Sequence, residues 1–99
     1  MTIDEFRASA VSEVALPVDL TEEEKALWLC AAGRWDEAHE CAQEIHTPMG
    51  SWIHALLHLI EGDVGNAGYW FTLAGRKPVS RDQIDAEWRR IAAEVLAER

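Results

Sequence analysis

The sequence predicts an all-α domain of about six helices. No segment alternates apolar and polar residues with many β-branched side chains, which is the pattern of a half-buried strand. Alanine and glutamate, both good helix formers, are conspicuously frequent. Glycine and proline fall between apolar segments of helical period, where they mark helix ends. With 99 residues, the chain is long enough for one domain, 1–99, and too short for two.

The first predicted helix covers residues 3–15. Thr2 and Glu5 have the spacing of a capping box, in which each side chain accepts a hydrogen bond from the other residue's backbone N–H. Pro17 cannot continue a helix and therefore ends this segment. Apolar side chains at helical spacing predict the buried stripe of this helix, formed by Ile3, Phe6, Ala10 and Val14.

The second predicted helix begins with another capping box, Thr21 and Glu24. Every residue from 26 to 32 is apolar, so we expect this helix to be central and packed on several sides. Gly33 provides a natural C-terminal stop.

The third and fourth predicted helices cover residues 35–46 and 51–61. Pro48 and Gly50 mark the turn between them, and Gly62 ends the fourth. The third has one apolar face, and the fourth has a wide apolar arc. The third helix's face consists of Trp35, Ala38, Cys41, Ala42 and Ile45, and the fourth helix's arc of Trp52, Ile53, Leu56, Leu57, Leu59 and Ile60.

The fifth predicted helix covers residues 64–74, with Asp63 as its N-cap. Gly65 and Gly68 each cost up to about 1 kcal/mol inside a helix, so we expect them to permit a close approach between helices. Ser80, with Gln83 three residues later, predicts the cap of a terminal helix at about 81–98.

An internal repeat relates the middle helices. Gly33 aligns with Gly62, and Ala38 aligns with Ala67, at the same offset of 29 residues (62 − 33 and 67 − 38). This pattern resembles the tetratricopeptide-like superfamily of helical hairpins over about residues 25–78. The resemblance implies two hairpins, at about 21–46 and 51–75, between an N-terminal and a C-terminal helix. It also implies a role in binding a protein or a peptide.

A second resemblance rests on two sequence blocks. Residues 54–67 have the pattern H-x-x-x-H-x-x-E-G-D-x-x-N-A, and residues 35–43 have the pattern W-D-x-A-H-E-x-x-Q. Similar blocks occur in a group of small, uncharacterised helical proteins from bacteria and fungi. The resemblance implies a shared helical fold and no particular activity.

The charge balance excludes some classes of partner. Nine basic and 18 acidic residues give a formal charge of −9, so the chain lacks the basic footprint of a nucleic-acid-binding protein. It also lacks an apolar stretch of about 20 residues that would span a membrane. No signal peptide is visible, and we expect a cytoplasmic protein.

Cys30 and Cys41 lie in apolar helical segments, so we expect buried free thiols.

The fourth helix carries the clearest candidate for chemistry. His54, His58 and Glu61 are spaced by four and three residues, which puts them on one stripe. Two imidazoles and a carboxylate in this arrangement can hold a divalent metal ion. The H-E-x-x-H pattern is absent because Ala55 follows His54. Since the stripe lies opposite the apolar arc, we expect it to be outside the core.

Three functional hypotheses follow. The leading one is a non-catalytic interaction module, because no complete catalytic set is present. The alternative is a metal- or small-ligand-binding protein, with an enzyme among the options, that uses His54, His58 and Glu61; it needs no cofactor beyond a divalent metal. The third is a homo-oligomer formed through tryptophan-rich surfaces. The polar face of the interaction module would comprise His39, Gln43, His54, His58, Glu61, Asn66 and Tyr69.

Overall fold

A computed structural model describes residues 2–12 and 15–97, and this part of the chain contains six α-helices and no strand. The prediction of an all-α domain is therefore confirmed. A short 3₁₀ turn, Arg81–Gln83, precedes the last helix. The helices are α1 Ile3–Ser12, α2 Glu22–Ala31, α3 Trp35–Gln43, α4 Pro48–Glu61, α5 Val64–Leu73 and α6 Ile84–Ala97.

The middle helices pack as two consecutive pairs. Helix α2 packs on α3, and α4 packs on α5, each across a connection of only a few residues. We call these pairs hairpin 1 and hairpin 2. The two hairpins meet where α3 packs on α4. Helix α1 packs on α2 and α6, while α6 also contacts α4, so the terminal helices close the structure on one side.

Helix α4 lies at the centre of the structure. It contacts α2, α3, α5 and α6, and every residue from 52 to 59 is buried. Helix α2 is central as predicted, with residues 26–29 almost fully buried. The consequence for α4 is that two residues of its polar stripe, His54 and His58, are buried together with its apolar arc.

Two helix starts agree with the predicted capping boxes. The Thr2 backbone N–H donates to Glu5 Oε1 at 2.8 Å, and the Glu5 N–H donates to Thr2 Oγ1 at 3.1 Å. Thr21 and Glu24 make the same reciprocal pair at the start of α2. The N-terminal helix ends at Ser12 within the described residues, and the predicted stripe residue Val14 lies outside them.

Two other helix starts differ from prediction. Helix α4 begins at Pro48, three residues before the expected start, because Thr47 accepts a hydrogen bond from the Gly50 N–H at 3.2 Å. Proline suits a first helical position, where its missing N–H would have no partner in the helix. The predicted Ser80 cap is wrong, since its side chain makes no capping hydrogen bond and instead donates to Asp82.

The glycines of α5 do not have the predicted role. A Cβ atom added to Gly65 or Gly68 would meet nothing within 4 Å, so neither permits a close helix approach within the described chain. The close approach is at Gly50, where an added Cβ would overlap the carbonyl oxygen of Ile45 and lie 2.7 Å from its Cβ. The turn between α3 and α4 therefore requires glycine at position 50.

The tryptophans do not form a surface. Trp28, Trp52 and Trp88 are buried, and the other two, Trp35 and Trp70, are half-buried against the core. The tryptophan-rich surface expected for a homo-oligomer is therefore not present.

Both cysteines are free and half-buried. Among the residues described, no helix is long and apolar enough to cross a membrane.

Two glycine-to-alanine substitutions should have opposite effects on stability. Gly50→Ala should lower the free energy of unfolding by about 2–4 kcal/mol, because the methyl group collides with the Ile45 backbone. Gly68→Ala should raise it by about 0.5–1 kcal/mol, because the methyl group enters open space and restricts the unfolded chain. Urea unfolding of both variants measures the difference, and equal effects would contradict the α3–α4 contact.

Candidate metal site

Three histidines meet at the contact between α3 and α4. One ring nitrogen each from His39, His54 and His58 lies within 4.8 Å of the other two. The ring centroids are 4.6 Å apart for His39 and His54, and 4.7 Å apart for His54 and His58. Imidazole nitrogens are common ligands of Zn²⁺, Ni²⁺ and Cu²⁺. We call these three residues the histidine cluster.

The cluster is inside the protein. His54 and His58 are only 5% and 7% exposed, and His39 is half-buried. The expectation that the His54 stripe lies outside the core was therefore wrong. Considered alone, α4 has a polar side opposite its apolar arc, but in the fold α3 and α5 cover that side.

Two tryptophans form the walls of the cluster. The Trp35 ring stacks on His39 with centroids 4.9 Å apart, and the Trp70 ring stacks on His54 at 3.9 Å. Trp35 Nε1 also donates to the carbonyl of Leu57 at 2.7 Å, which holds α3 against α4 at this level. Trp35 was predicted only as part of the apolar face of α3. The i, i+4 spacing of Trp35 and His39 was the available signal for their contact.

Glu61 orients His58. The Glu61 carboxylate lies 2.6 Å from His58 Nδ1. Since an ionised carboxylate only accepts hydrogen bonds, Nδ1 carries a proton, and in that tautomer Nε2 has a lone pair. The side-chain amide Nδ2 of Asn66 lies 3.4 Å from this Nε2. His58 thus has one nitrogen fixed by a carboxylate and one available as a ligand.

The other two rings have unused nitrogens. Within residues 2–12 and 15–97, the ring nitrogens of His39 and His54 make no hydrogen bond to a protein atom. Neither ring has a fully buried nitrogen that lacks a partner, so these nitrogens remain accessible to solvent or to an entering ion. A ligand that accepts lone pairs would satisfy both rings.

The surroundings favour the neutral form of His39 and His54. Burial, and then the neighbouring His39 and His58, lower the pKa of His54 to about 4. Burial and His58 also lower the pKa of His39, although the carboxylates of Glu61, Asp36 and Glu40 oppose this shift. Metal ions bind the neutral imidazole, so the lowered pKa values of His39 and His54 favour the form that acts as a ligand.

The remaining predicted site residues are divided between the cluster and the surface. Glu61 is exposed and reaches the cluster through His58, and Asn66 contacts the same ring. Tyr69 is 60% exposed, with its ring edge against Trp70. Gln43 is exposed on α3 and is not among the residues that converge. The predicted polar face is therefore not one continuous surface.

Asp63 has the predicted structural role. Its carboxylate accepts a hydrogen bond from the backbone N–H of Asn66 at 3.3 Å, which caps α5. Asp63 also forms a second group of metal-ligating residue types with His58 and Glu61. Because both carboxylates of that group are exposed and already hydrogen-bonded, it is less suited to hold an ion than the histidine cluster.

Comparisons with known proteins do not assign a family. No protein-family model matches the chain. No curated protein and no solved structure matches it either. The resemblances to tetratricopeptide-like hairpins and to the H-x-x-x-H-x-x-E-G-D group therefore stay predictions, and the functional argument rests on the geometry of the site.

Acid should destabilise the metal-free protein through His54. Its pKa is lower in the folded state than in the unfolded chain, so the unfolded chain binds more protons as the pH falls from about 6.5 to 4. Between pH 7 and pH 4.5, the wild type should lose roughly 2 kcal/mol more unfolding free energy than His54→Gln. Urea unfolding in the presence of a chelator measures this, and parallel pH profiles would contradict it.

Proposed function

We propose that this protein binds a divalent transition-metal ion through His39, His54 and His58, with Glu61 holding His58 in the ligand tautomer. The observation that carries the proposal is the convergence of three ring nitrogens at a buried position, where two of the rings have no protein hydrogen-bond partner within residues 2–12 and 15–97. The sequence suggested His54, His58 and Glu61 as ligands. In the proposed site, His39 replaces Glu61 as the third ligand.

The geometry requires only small changes on metal binding. Bonds of about 2.0–2.1 Å in a tetrahedral site place two ligand atoms about 3.3–3.4 Å apart. The three nitrogens already lie within 4.8 Å of one another, so side-chain rotations are sufficient to close the gap. The His58–Glu61 pair has the arrangement of a carboxylate that supports a metal-binding histidine.

The same facts favour the metal hypothesis over the interaction module. A peptide lying on the surface would not reach His54 or His58, because both rings are buried under α3 and α5. Their burial supports a role inside the protein. A metal ion bound there would connect α3 of hairpin 1 to α4 of hairpin 2.

A metal titration tests the proposal directly. Chelator-stripped protein should bind one equivalent of Zn²⁺ or Ni²⁺ in calorimetry, with micromolar or tighter affinity. At 100 times the dissociation constant, the ion adds about 2.7 kcal/mol of stability, so the melting temperature should rise by about 10 °C or more. His54→Gln and His39→Ala should each abolish stoichiometric binding.

Matched variants make the titration decisive. His46→Ala removes an exposed histidine outside the cluster and should bind like the wild type. Circular dichroism verifies that each variant is folded, and His39→Ala provides a second test because this ring is only half-buried. A folded wild type that binds no ion, or a His46→Ala variant that fails like the others, would refute the cluster as the site.

Removing Glu61, which orients His58, should weaken metal binding without abolishing it. Glu61→Ala leaves all three rings in place but frees His58 Nδ1, so Zn²⁺ affinity should fall about 10- to 100-fold. Glu44→Ala removes an equally charged but distant, exposed carboxylate and should change the affinity little. Competition with a chromophoric chelator measures both values, and equal losses would mean that only the overall charge matters.

A further inference from the structure

Three imidazoles leave one tetrahedral position to fill. A structural Zn²⁺ site has four protein ligands, whereas a catalytic site keeps the fourth position for water. The group next to the cluster that suits this position is the side-chain amide of Asn66, which lies 3.4 Å from His58 Nε2. This separation equals the edge of a tetrahedral site with ordinary zinc–ligand bonds, about 3.3–3.4 Å.

The fold holds Asn66 at this place. Gly62 ends α4 in a left-handed conformation with φ of 91°, which turns the chain at once into α5. Asp63 then caps α5 through the Asn66 N–H and also accepts from Asn66 Nδ2 at 3.4 Å. Asn66 is therefore fixed beside His58 by the tight connection and by two contacts with the preceding carboxylate.

The amide nitrogen and oxygen can exchange places. Without a metal, Nδ2 donates toward the lone pair of His58 Nε2, which is the favourable orientation for a free imidazole. A cation on that lone pair repels an N–H donor and attracts a carbonyl oxygen. A half-turn of the amide about its own axis brings Oδ1 to the same place, since the two ends of the group are nearly equal in size. The half-turn breaks the long contact of Nδ2 with Asp63 but keeps the hydrogen bond of the Asn66 backbone N–H to that carboxylate.

We propose that Asn66 is the fourth ligand and that its Oδ1 closes the metal site. This inference depends on the function proposed above, and it specifies that the site is structural. The ion would then be held by one residue of α3, two residues of α4 and one residue of α5. The cavities of about 310, 160 and 210 Å³ are lined by residues outside the cluster.

Cobalt substitution distinguishes a closed site from an open one. In the full-length protein loaded with Co²⁺, the visible d–d absorption reports the ligand set, and azide changes it only where azide can replace a bound water. The wild-type spectrum should not respond to azide. Asn66→Ala should bind Co²⁺ about tenfold more weakly or worse, and its spectrum should shift on addition of azide.

Two further variants complete the experiment. Asn66→Asp keeps an oxygen at the same position, so it should restore insensitivity to azide. Gln83→Ala removes an exposed amide in the 3₁₀ turn before α6 and should behave like the wild type. Circular dichroism confirms that each variant is folded before cobalt is added.

Each outcome decides between the two proposals. If the wild type binds no Co²⁺, both the metal function and the Asn66 assignment fail. If it binds Co²⁺ and azide shifts the wild-type spectrum, the metal function stands and the closed site is overturned. Wild-type and Asn66→Ala spectra that are identical and equally insensitive to azide also overturn the assignment of Asn66.

Discussion

The burial of α4 on every side is the constraint on which the site depends. All eight residues from 52 to 59 are buried, so the polar side chains among them face other residues instead of bulk water. Trp52 Nε1 donates to buried Glu87 at 2.8 Å, and His58 pairs with Glu61. His54 is stacked between Trp70 and His58. The polar chemistry of this helix is thus forced into the interior by the helices around it.

Local features were predictable from the sequence, and features that depend on helix packing were not. The capping boxes at Thr2 and Thr21 were predicted correctly because each involves residues only three apart. Two members of the cluster, His54 and His58, were identified from their spacing. Their burial was missed because a helical wheel considers α4 by itself. The approach of His39 depends on how α3 packs on α4, which no spacing within one helix determines.

The charge distribution suits a cationic ligand. Residues 1–50 carry three basic and eleven acidic residues, a formal charge of −8, and this segment contains hairpin 1. Glutamates of α2 and α3 line a groove next to the helix that carries His39. A negative field raises the local concentration of divalent cations. Binding such an ion between the hairpins would also add directly to folding stability, since the unfolded chain has no preformed site.

Helix α5 packs on one side only, so it can open locally and uncover the histidine cluster while the rest of the domain stays folded. Ala67 and Phe71 face inward, whereas Tyr69 and Leu73 are exposed, and the helix packs mainly on α4. A helix with few buried contacts opens locally at a lower free energy than the whole domain unfolds. Amide hydrogens of α5 should therefore exchange with solvent sooner than those of α4. Each opening would lift Trp70 and Asn66 from the histidines, so ligand exchange at the cluster would follow the fluctuation of one helix while the rest of the fold stays intact.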